Sequence, residues 1–240
     1  NDAQSYNTAM GYAAGLLVTT GVQNTLIGGL AGDALQAVHD TTAVGYLALS
    51  AATVGGNTAV GSEAFQSSTT GNSNVAMGIQ AGRFATTADN TTFIGANAGK
   101  GITGTKLTGN NNTAVGRDAG LLLQGGATNN TFLGTNAADN ATTNSANTII
   151  GYNINCSGTN VDHEVAIGNT TGTATLGLDG SDTSWAAASD ERLKKDIVNS
   201  TVGLSFINAL RPVTFKWNAK DAVANTLPQY DADSSDPVYG

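Results

Sequence analysis

The sequence predicts an all-β fold: a repetitive β-solenoid with a repeat of about 17 residues, followed by the start of a small α+β domain. Two observations carry this prediction. A nine-residue motif recurs ten times, and the composition opposes helices. The 240 residues include 31 glycines, with only 12% charged and 6% aromatic side chains, and Asn and Thr are abundant. Gly, Asn and Thr are poor helix formers that are common in tight turns.

Each copy of the motif is centred on a glycine. The copies read NTAMGYAAG (7–15), NTLIGGLAG (24–32), TTAVGYLAL (41–49), NTAVGSEAF (57–65), NVAMGIQAG (74–82), TTFIGANAG (91–99), NTAVGRDAG (112–120), NTFLGTNAA (130–138), NTIIGYNIN (147–155) and EVAIGNTTG (164–172). Successive central glycines are 17, 17, 16, 17, 17, 21, 18, 17 and 17 residues apart. So strict a period indicates stacked structural repeats and disfavours the alternative, a sandwich of independent hairpins.

The residues before each central glycine predict a short strand. The position just before the glycine is always Met, Ile, Val or Leu, and the one before that is always apolar. Adjacent strand residues point to opposite faces, so both faces are apolar. We expect one face to fill the interior of the coil and the other to pack against another chain.

Other positions of the repeat predict corners and loops. Alanine stands three residues after the glycine in the first eight copies, from Ala14 to Ala137, which indicates a tight corner. Spacers such as SSTTGNS predict surface loops that accept insertions. Coils stacked about 4.8 Å apart would make ten copies a rod roughly 50 Å long. We expect stacked Asn and Thr side chains to bond to one another along it.

Bulk properties exclude several classes of protein. A net charge of −8 leaves no basic face for phosphates, so we expect no nucleic-acid partner. No apolar run approaches 18 residues, so we expect no membrane insertion. The single cysteine, Cys156, cannot form an internal disulfide. The chain starts at Asn1 without an initiator Met or a signal peptide, and we expect it to be a piece of a longer protein.

The charge pattern changes at residue 189. Residues 1–188 hold four basic and eleven acidic groups, whereas residues 189–240 hold six and seven. The stretch SDERLKKDI (189–197) opens this second part. Taken alone, it fits a helix start with Ser189 or Asp190 as the cap. Apolar spacing then predicts a helix over 201–210, and alternation predicts a strand over 213–217.

Two motifs resemble known families. NTAVGxxAG resembles the head repeats of trimeric autotransporter adhesins and, more closely, the repeats of bacteriophage tail fibres. SDERLKKDI followed by FINALRPVTFKWN (206–218) resembles the start of the intramolecular chaperone domain of phage tailspikes and fibres, the peptidase S74 family. The repeats predict a solenoid over 1–172, and the resemblance implies a truncated chaperone domain over 189–240, with a linker or distal tip over 173–188 between them.

The resemblance also implies self-cleavage. Carried onto this chain, Ser189 is the nucleophile, Lys194 its proton acceptor and Ala188–Ser189 the broken bond, as in an autocatalytic Ser-Lys endopeptidase. Arg192 and Lys195 are supporting residues, because nearby cations help to lower the pKa of a lysine, and Asp190 is a supporting residue that is favourable in the first turn of a helix. The spacing alone does not build this dyad. Five residues leave the two side chains about 140° apart on a helix and on opposite sides of a strand. A bend or a partner chain is therefore required.

We therefore predict a phage tail fibre protein, located in the virion tail, that attaches the phage to its host. The expected partners are two further copies in a homotrimer, a host surface receptor (glycan or protein), and other tail proteins through a segment before Asn1. Residues 150–188 are candidates for receptor contact. Whether the three chains interwind or lie side by side is open.

Several alternatives compete with this prediction. An adhesin-like rod without autoproteolysis would share the solenoid. An ice-binding solenoid requires an outward Thr-x-Thr array. Calcium binding by GGLAGD (28–33) is disfavoured because the aspartate does not recur, and His39 and His163 are expected to be loop residues rather than metal ligands. We expect no cofactor and no metal, and we place Trp185 in a core or an interface.

Overall fold

The computed structural model describes residues 6–159, 161–178 and 186–187. The chain divides into two units, Asn1–Ser189 and Asp190–Gly240, and every described residue lies in the first. The strands are β1 (Thr8–Met10), β2 (Thr25–Ile27), β3 (Thr42–Val44), β4 (Thr58–Val60), β5 (Val75–Met77), β6 (Thr92–Ile94), β7 (Thr113–Val115), β8 (Thr131–Leu133), β9 (Thr148–Gly151), β10 (Glu164–Asn169), β11 (Gly172–Gly177) and β12 (Ala186–Ala187). The described part of the chain contains no helix.

The strands form one sheet in chain order, and β1 to β10 pair in parallel. Each pair joins equivalent residues of successive copies, as where Thr25 pairs with Thr42 and Leu26 with Ala43. A parallel pair needs a crossover, and here the remainder of each coil supplies it. The predicted all-β solenoid with a repeat of about 17 residues is confirmed. The predicted α+β segment, including the helix over 201–210 and the strand over 213–217, lies outside the described residues.

The periodicity ends after the tenth copy. β10 turns back through Asn169, whose Oδ1 accepts a hydrogen bond of 2.8 Å from the Thr171 backbone N–H, and pairs antiparallel with β11. β11 in turn pairs antiparallel with β12. A hairpin therefore follows the stacked coils.

The central glycines form a column in which each touches the next. From Gly11 to Gly151 their φ angles lie between +126° and +137°, a region that side chains strongly disfavour. A Cβ added at Gly61 would stand 2.4 Å from the carbonyl oxygen of Gly78 in the following coil. Only glycine fits this column, which is why the repeat is visible in the sequence.

Three positions of each coil fill the interior. The first is the middle strand residue, and the second is the alanine three residues after the glycine, which is fully buried from Ala31 to Ala137. The third lies seven residues after the glycine, as at Leu35 and Leu123. In the coil with the 21-residue step, the buried Leu107 takes this place and forms isolated parallel β-bridges with Ala85 and Gly125. Residues 103–106 of the same coil are exposed. As predicted, the insertion lies at the surface.

A column of polar residues, all buried except the half-buried Asn7, stands four positions before the central glycines. Its members are Asn7, Asn24, Thr41, Asn57, Asn74, Thr91, Asn112, Asn130, Asn147 and Glu164. Asn57 is typical, because its Oδ1 accepts from the Asn74 backbone N–H at 3.1 Å and its Nδ2 donates to the Gly71 carbonyl at 2.9 Å. We predicted ladders between side chains, but these amides bond mainly to backbone groups, because the coil interior otherwise leaves those groups unpaired.

Candidate functional surfaces and the C-terminal segment

The first and third residues of β1 to β9, with Val165 and Ile167 of β10, point away from the interior and form one surface, here called the outward face. Its first column is Thr8, Thr25, Thr42, Thr58, Val75, Thr92, Thr113, Thr131, Thr148 and Val165, and its second is Met10, Ile27, Val44, Val60, Met77, Ile94, Val115, Leu133, Ile150 and Ile167. Strand alternation places the middle residues, such as Ala43 and Phe93, inside. Met10, Met77 and Leu133 are 64%, 47% and 47% exposed in the single chain.

Tyrosines extend this apolar surface past the glycine corner. Tyr12, Tyr46 and Tyr152 follow their central glycines directly, and all are more than half exposed. Ile79 occupies the same position in the fifth copy and is also exposed. Large apolar side chains seldom gather on the surface of a monomer unless they contact something.

From the fourth copy to the ninth, a polar column borders this surface two residues after the central glycines, from Glu63 to Asn153. The side chains bond from coil to coil: Gln80 donates to Glu63 at 2.8 Å, and Asn97 donates to Asp118 at 2.8 Å. Arg83 joins the column through an ion pair with Glu63 at 2.9 Å. These partly exposed groups therefore find their hydrogen-bond and ion-pair partners within one chain.

The C-terminal end of the coil stack carries a buried carboxylate. Glu164, 4% exposed, takes the asparagine position in the tenth copy, and its backbone N–H donates to Asn147 Oδ1 at 2.7 Å. Its carboxylate accepts from the backbone N–H of Ser157 at 2.9 Å and from the Ser157 hydroxyl at 3.2 Å. Burial raises the pKa of the neighbouring Cys156 thiol to about 12, and the negative charge of Glu164 adds to this effect.

A cavity of about 260 Å³ opens at this end. Ser157 and Thr175 contribute hydroxyls to its wall, Glu164 contributes a carboxylate, and Val161 and Leu176 contribute apolar surface. The wall lies within the segment 150–188, which the sequence made a candidate for receptor contact. It can accept and donate hydrogen bonds to a small polar group.

The structure leaves the predicted cleavage site undescribed. Ala188, Ser189, Asp190, Arg192, Lys194 and Lys195 all lie outside the described residues, and so does Trp185. Their roles stay predictions.

The remaining candidates occupy loops. Nδ1 of His39 accepts from the Val22 backbone N–H at 3.1 Å, and His163 is exposed. Burial raises the pKa of the Asp33 carboxyl in GGLAGD. No group of three potential metal ligands occurs among residues 6–159 and 161–178. In the part of the chain that the structure describes, no helix is long and apolar enough to cross a membrane.

The segment that begins at Ser189 matches a known protein family. Residues 189–231 match the peptidase S74 family, described as the chaperone of endosialidase. Comparison with curated proteins and with solved structures gave no match. The family resemblance stated from the sequence is thus confirmed for this segment.

Along the chain, a β-solenoid is thus followed by a segment that matches a family of intramolecular chaperones. Together the two findings fit a phage tail fibre with a C-terminal chaperone.

Two features of this region were not predicted. The asparagine column lies inside the coil, and its signal in the sequence is an Asn or Thr four residues before nearly every central glycine. Glu164 is buried at the end of that column, and its signal is a carboxylate at the same repeat position.

Proposed function

We propose that the chain is the shaft of a bacteriophage tail fibre that attaches the virion to its host, and that the segment after Ala188 assembles the fibre and then cleaves itself off. The observation that carries the proposal is the match of residues 189–231 to the chaperone of endosialidase, which follows in the chain a stack of coils whose ten strands pair in parallel. Three copies of the chain form the fibre. Other tail proteins hold it at its N-terminal side.

The cleavage chemistry is assigned to Ser189 and Lys194. The Ser189 hydroxyl gives its proton to Lys194 and adds to the carbonyl carbon of Ala188. That proton passes to the Ser189 nitrogen as the carbon–nitrogen bond breaks, which leaves an ester between Ala188 and the Ser189 oxygen. Water hydrolyses the ester to the Ala188 carboxylate and the free Ser189 hydroxyl. A serine needs such a base, because its hydroxyl is a weak nucleophile at its ordinary pKa.

Intact mass spectrometry tests this assignment. The gene is expressed to its natural stop codon as wild type and as Ser189→Ala, Lys194→Ala and Ser200→Ala, the last being a matched serine control. We expect the wild type and Ser200→Ala to break between Ala188 and Ser189, and the other two to stay intact. A break that persists in Ser189→Ala would refute the nucleophile. Uncut trimers of the wild type would favour the alternative, an adhesin-like rod without autoproteolysis.

We place the receptor contact at the C-terminal end of the coil stack, on the wall of the cavity beside Glu164. Ser157 and Thr175 offer hydroxyls there to a glycan or to a polar side chain of a surface protein. Fluorescently labelled fibre should bind host cells, and Thr175→Val should weaken that binding. Thr87→Val, an exposed residue elsewhere on the coils, serves as the control. Equal binding by both variants would move the contact away from the cavity.

A further inference from the structure

Strand β11 is anchored to the coil stack at both of its ends. At the turn before it, Oδ1 of Asn169 accepts hydrogen bonds from the backbone N–H groups of Thr171 and Gly172, at 2.8 and 3.2 Å. Just after it, the Leu178 backbone N–H donates to the His163 carbonyl oxygen at 2.5 Å. All six residues of β11 pair with β10, and β10 pairs with β9. The position of β11 is therefore fixed relative to the coils.

Strand β12 lies beside β11 at the end of the sheet. Two antiparallel pairs join them, Ala174 with Ala187 and Thr175 with Ala186. Alanine has little apolar surface to bury, so backbone hydrogen bonds supply most of what holds β12 in place. The two residues of β12 are consequently kept extended, in a register that β11 sets.

The predicted cleavage site begins one residue after β12. The bond between Ala188 and Ser189 follows Ala187 directly in the sequence. Proteins commonly hold a peptide segment extended by adding it as a strand to the edge of a sheet. Such positioning matters to the rate, because a misplacement of about 1 Å can slow a reaction roughly 100-fold. Since consecutive Cα atoms are about 3.8 Å apart, fixing Ala187 limits where the carbonyl group of Ala188 can stand.

We propose that β11 positions the cleavage site, by holding β12 extended so that the Ala188 carbonyl carbon comes within reach of the Ser189 hydroxyl. This inference rests on the self-cleavage in the proposed function. Ala174 and Thr175 are positioning residues in it, and β11 takes no part in the making or breaking of bonds. Because β12 precedes the broken bond, it stays with the coil stack after cleavage.

An engineered disulfide tests the register in the full chain, expressed to its natural stop codon with Ser189→Ala and Cys156→Ala. Ala174→Cys and Ala187→Cys place two thiols on directly opposite residues, whose Cα atoms lie about 4.5–5.5 Å apart, within the range of a disulfide. Thr173→Cys with Ala187→Cys is the control, because neighbouring strand residues point to opposite faces. We expect alkylation and intact mass to find a disulfide in the first variant and free thiols in the second. Free thiols in the first, or disulfides in both, would overturn the pairing.

A proline in β11 tests the effect on cleavage. Ala174→Pro removes a backbone N–H from the interior of the sheet, where proline is not tolerated. Ala174→Ser keeps that N–H and is the matched control. In the full chain with Ser189 and Lys194 in place, intact mass follows the fraction cut after Ala188 with time. We expect Ala174→Pro to be cut at least about tenfold more slowly than wild type, and Ala174→Ser to be cut at the wild-type rate.

Two further measurements separate positioning from general unfolding. Urea denaturation should show the same midpoint for the coils in Ala174→Pro and in wild type. Ala186→Pro, on the other side of the pair, leaves the pairing of β10 with β11 untouched and should slow the cut as well. Cutting of both proline variants at the wild-type rate would overturn the role of β11 and leave the proposed cleavage standing. An uncut wild type would refute the cleavage itself, and the role of β11 with it.

Discussion

Phe65 occupies the space that Gly82 leaves open in the next coil. A Cβ added at Gly82 would stand 2.3 Å from Cε1 of Phe65. Phe65 itself stands four residues after its central glycine, with φ at +46°, and its ring lies 5.9 Å from that of Phe93. The large side chain of Phe65 in one coil therefore lies against a glycine, Gly82, in the next coil. The interior is therefore packed between coils as much as within them.

Gly82→Ala should lower the free energy of unfolding by about 1–3 kcal/mol, the usual cost of overpacking. The φ of Gly82 is +61°, and the added methyl group would meet the Phe65 ring. Urea denaturation measures the loss, with Gly104→Ala as the control, because a Cβ there meets nothing within 4 Å. Phe65→Leu should restore part of the stability in the Gly82→Ala background. Equal stability of the two glycine variants would contradict the packing described here.

Asn74→Leu should destabilise the coils strongly. The Asn74 amide accepts from the Thr91 backbone N–H and donates to the Ala88 carbonyl, both at 2.8 Å. Each buried group left without a partner costs about 1–3 kcal/mol. Asn74→Thr should cost less, since threonine occupies this repeat position in two other copies. Thermal unfolding provides the comparison, and Asn72→Ala, on the exposed surface, should change little. A mild effect of Asn74→Leu would mean that the column is dispensable.

Arg83→Met should cost less than about 1 kcal/mol, because partly exposed ion pairs contribute little. The Arg83 guanidinium lies 2.9 Å from Glu63 and also donates to Gln66, and the two ion-pair side chains are 27% and 22% exposed. Raising the salt concentration should narrow the difference from wild type. Arg117→Met, at a side chain 63% exposed, is the matched control. A loss that is large and insensitive to salt would show that Arg83 contributes mainly through packing.

Cys156 should make stability fall at alkaline pH. Its folded pKa of about 12 exceeds the ordinary 9.0, so the folded state holds the thiol proton more tightly than the unfolded state. This contribution is present in full below pH 9. It is lost between about pH 9 and 12, at up to about 1.4 kcal/mol per pH unit. Urea denaturation at pH 8 and 10.5 gives the free energy of unfolding of the wild type and of Cys156→Ala. A difference between the two proteins that does not change with pH would contradict the raised pKa of Cys156.

The solenoid could be predicted from the sequence because only glycine fits the central column. The requirement for glycine at one position of every coil therefore appears in the sequence as a glycine repeated about every 17 residues. It could not decide which strand face is inside. Ala59 and Val60 are both apolar, and only closure of the coil buries the first and leaves the second on the surface. The abundance of asparagine likewise indicated ladders but not their backbone partners. For Ser189 and Lys194 a five-residue spacing does not specify how the chain bends between them.

Because the coils stack on one another, the number of central glycines, and not the number of residues, sets the length of the coil stack. The step from Gly95 to Gly116 is four residues longer than the usual 17, yet β6 and β7 still pair as neighbours. The extra residues bulge sideways and add no height. Deleting one complete copy would remove a single step of about 4.8 Å and leave the other steps unchanged. Recombination between copies can therefore lengthen or shorten the reach of the rod in equal increments, with no redesign of its interior.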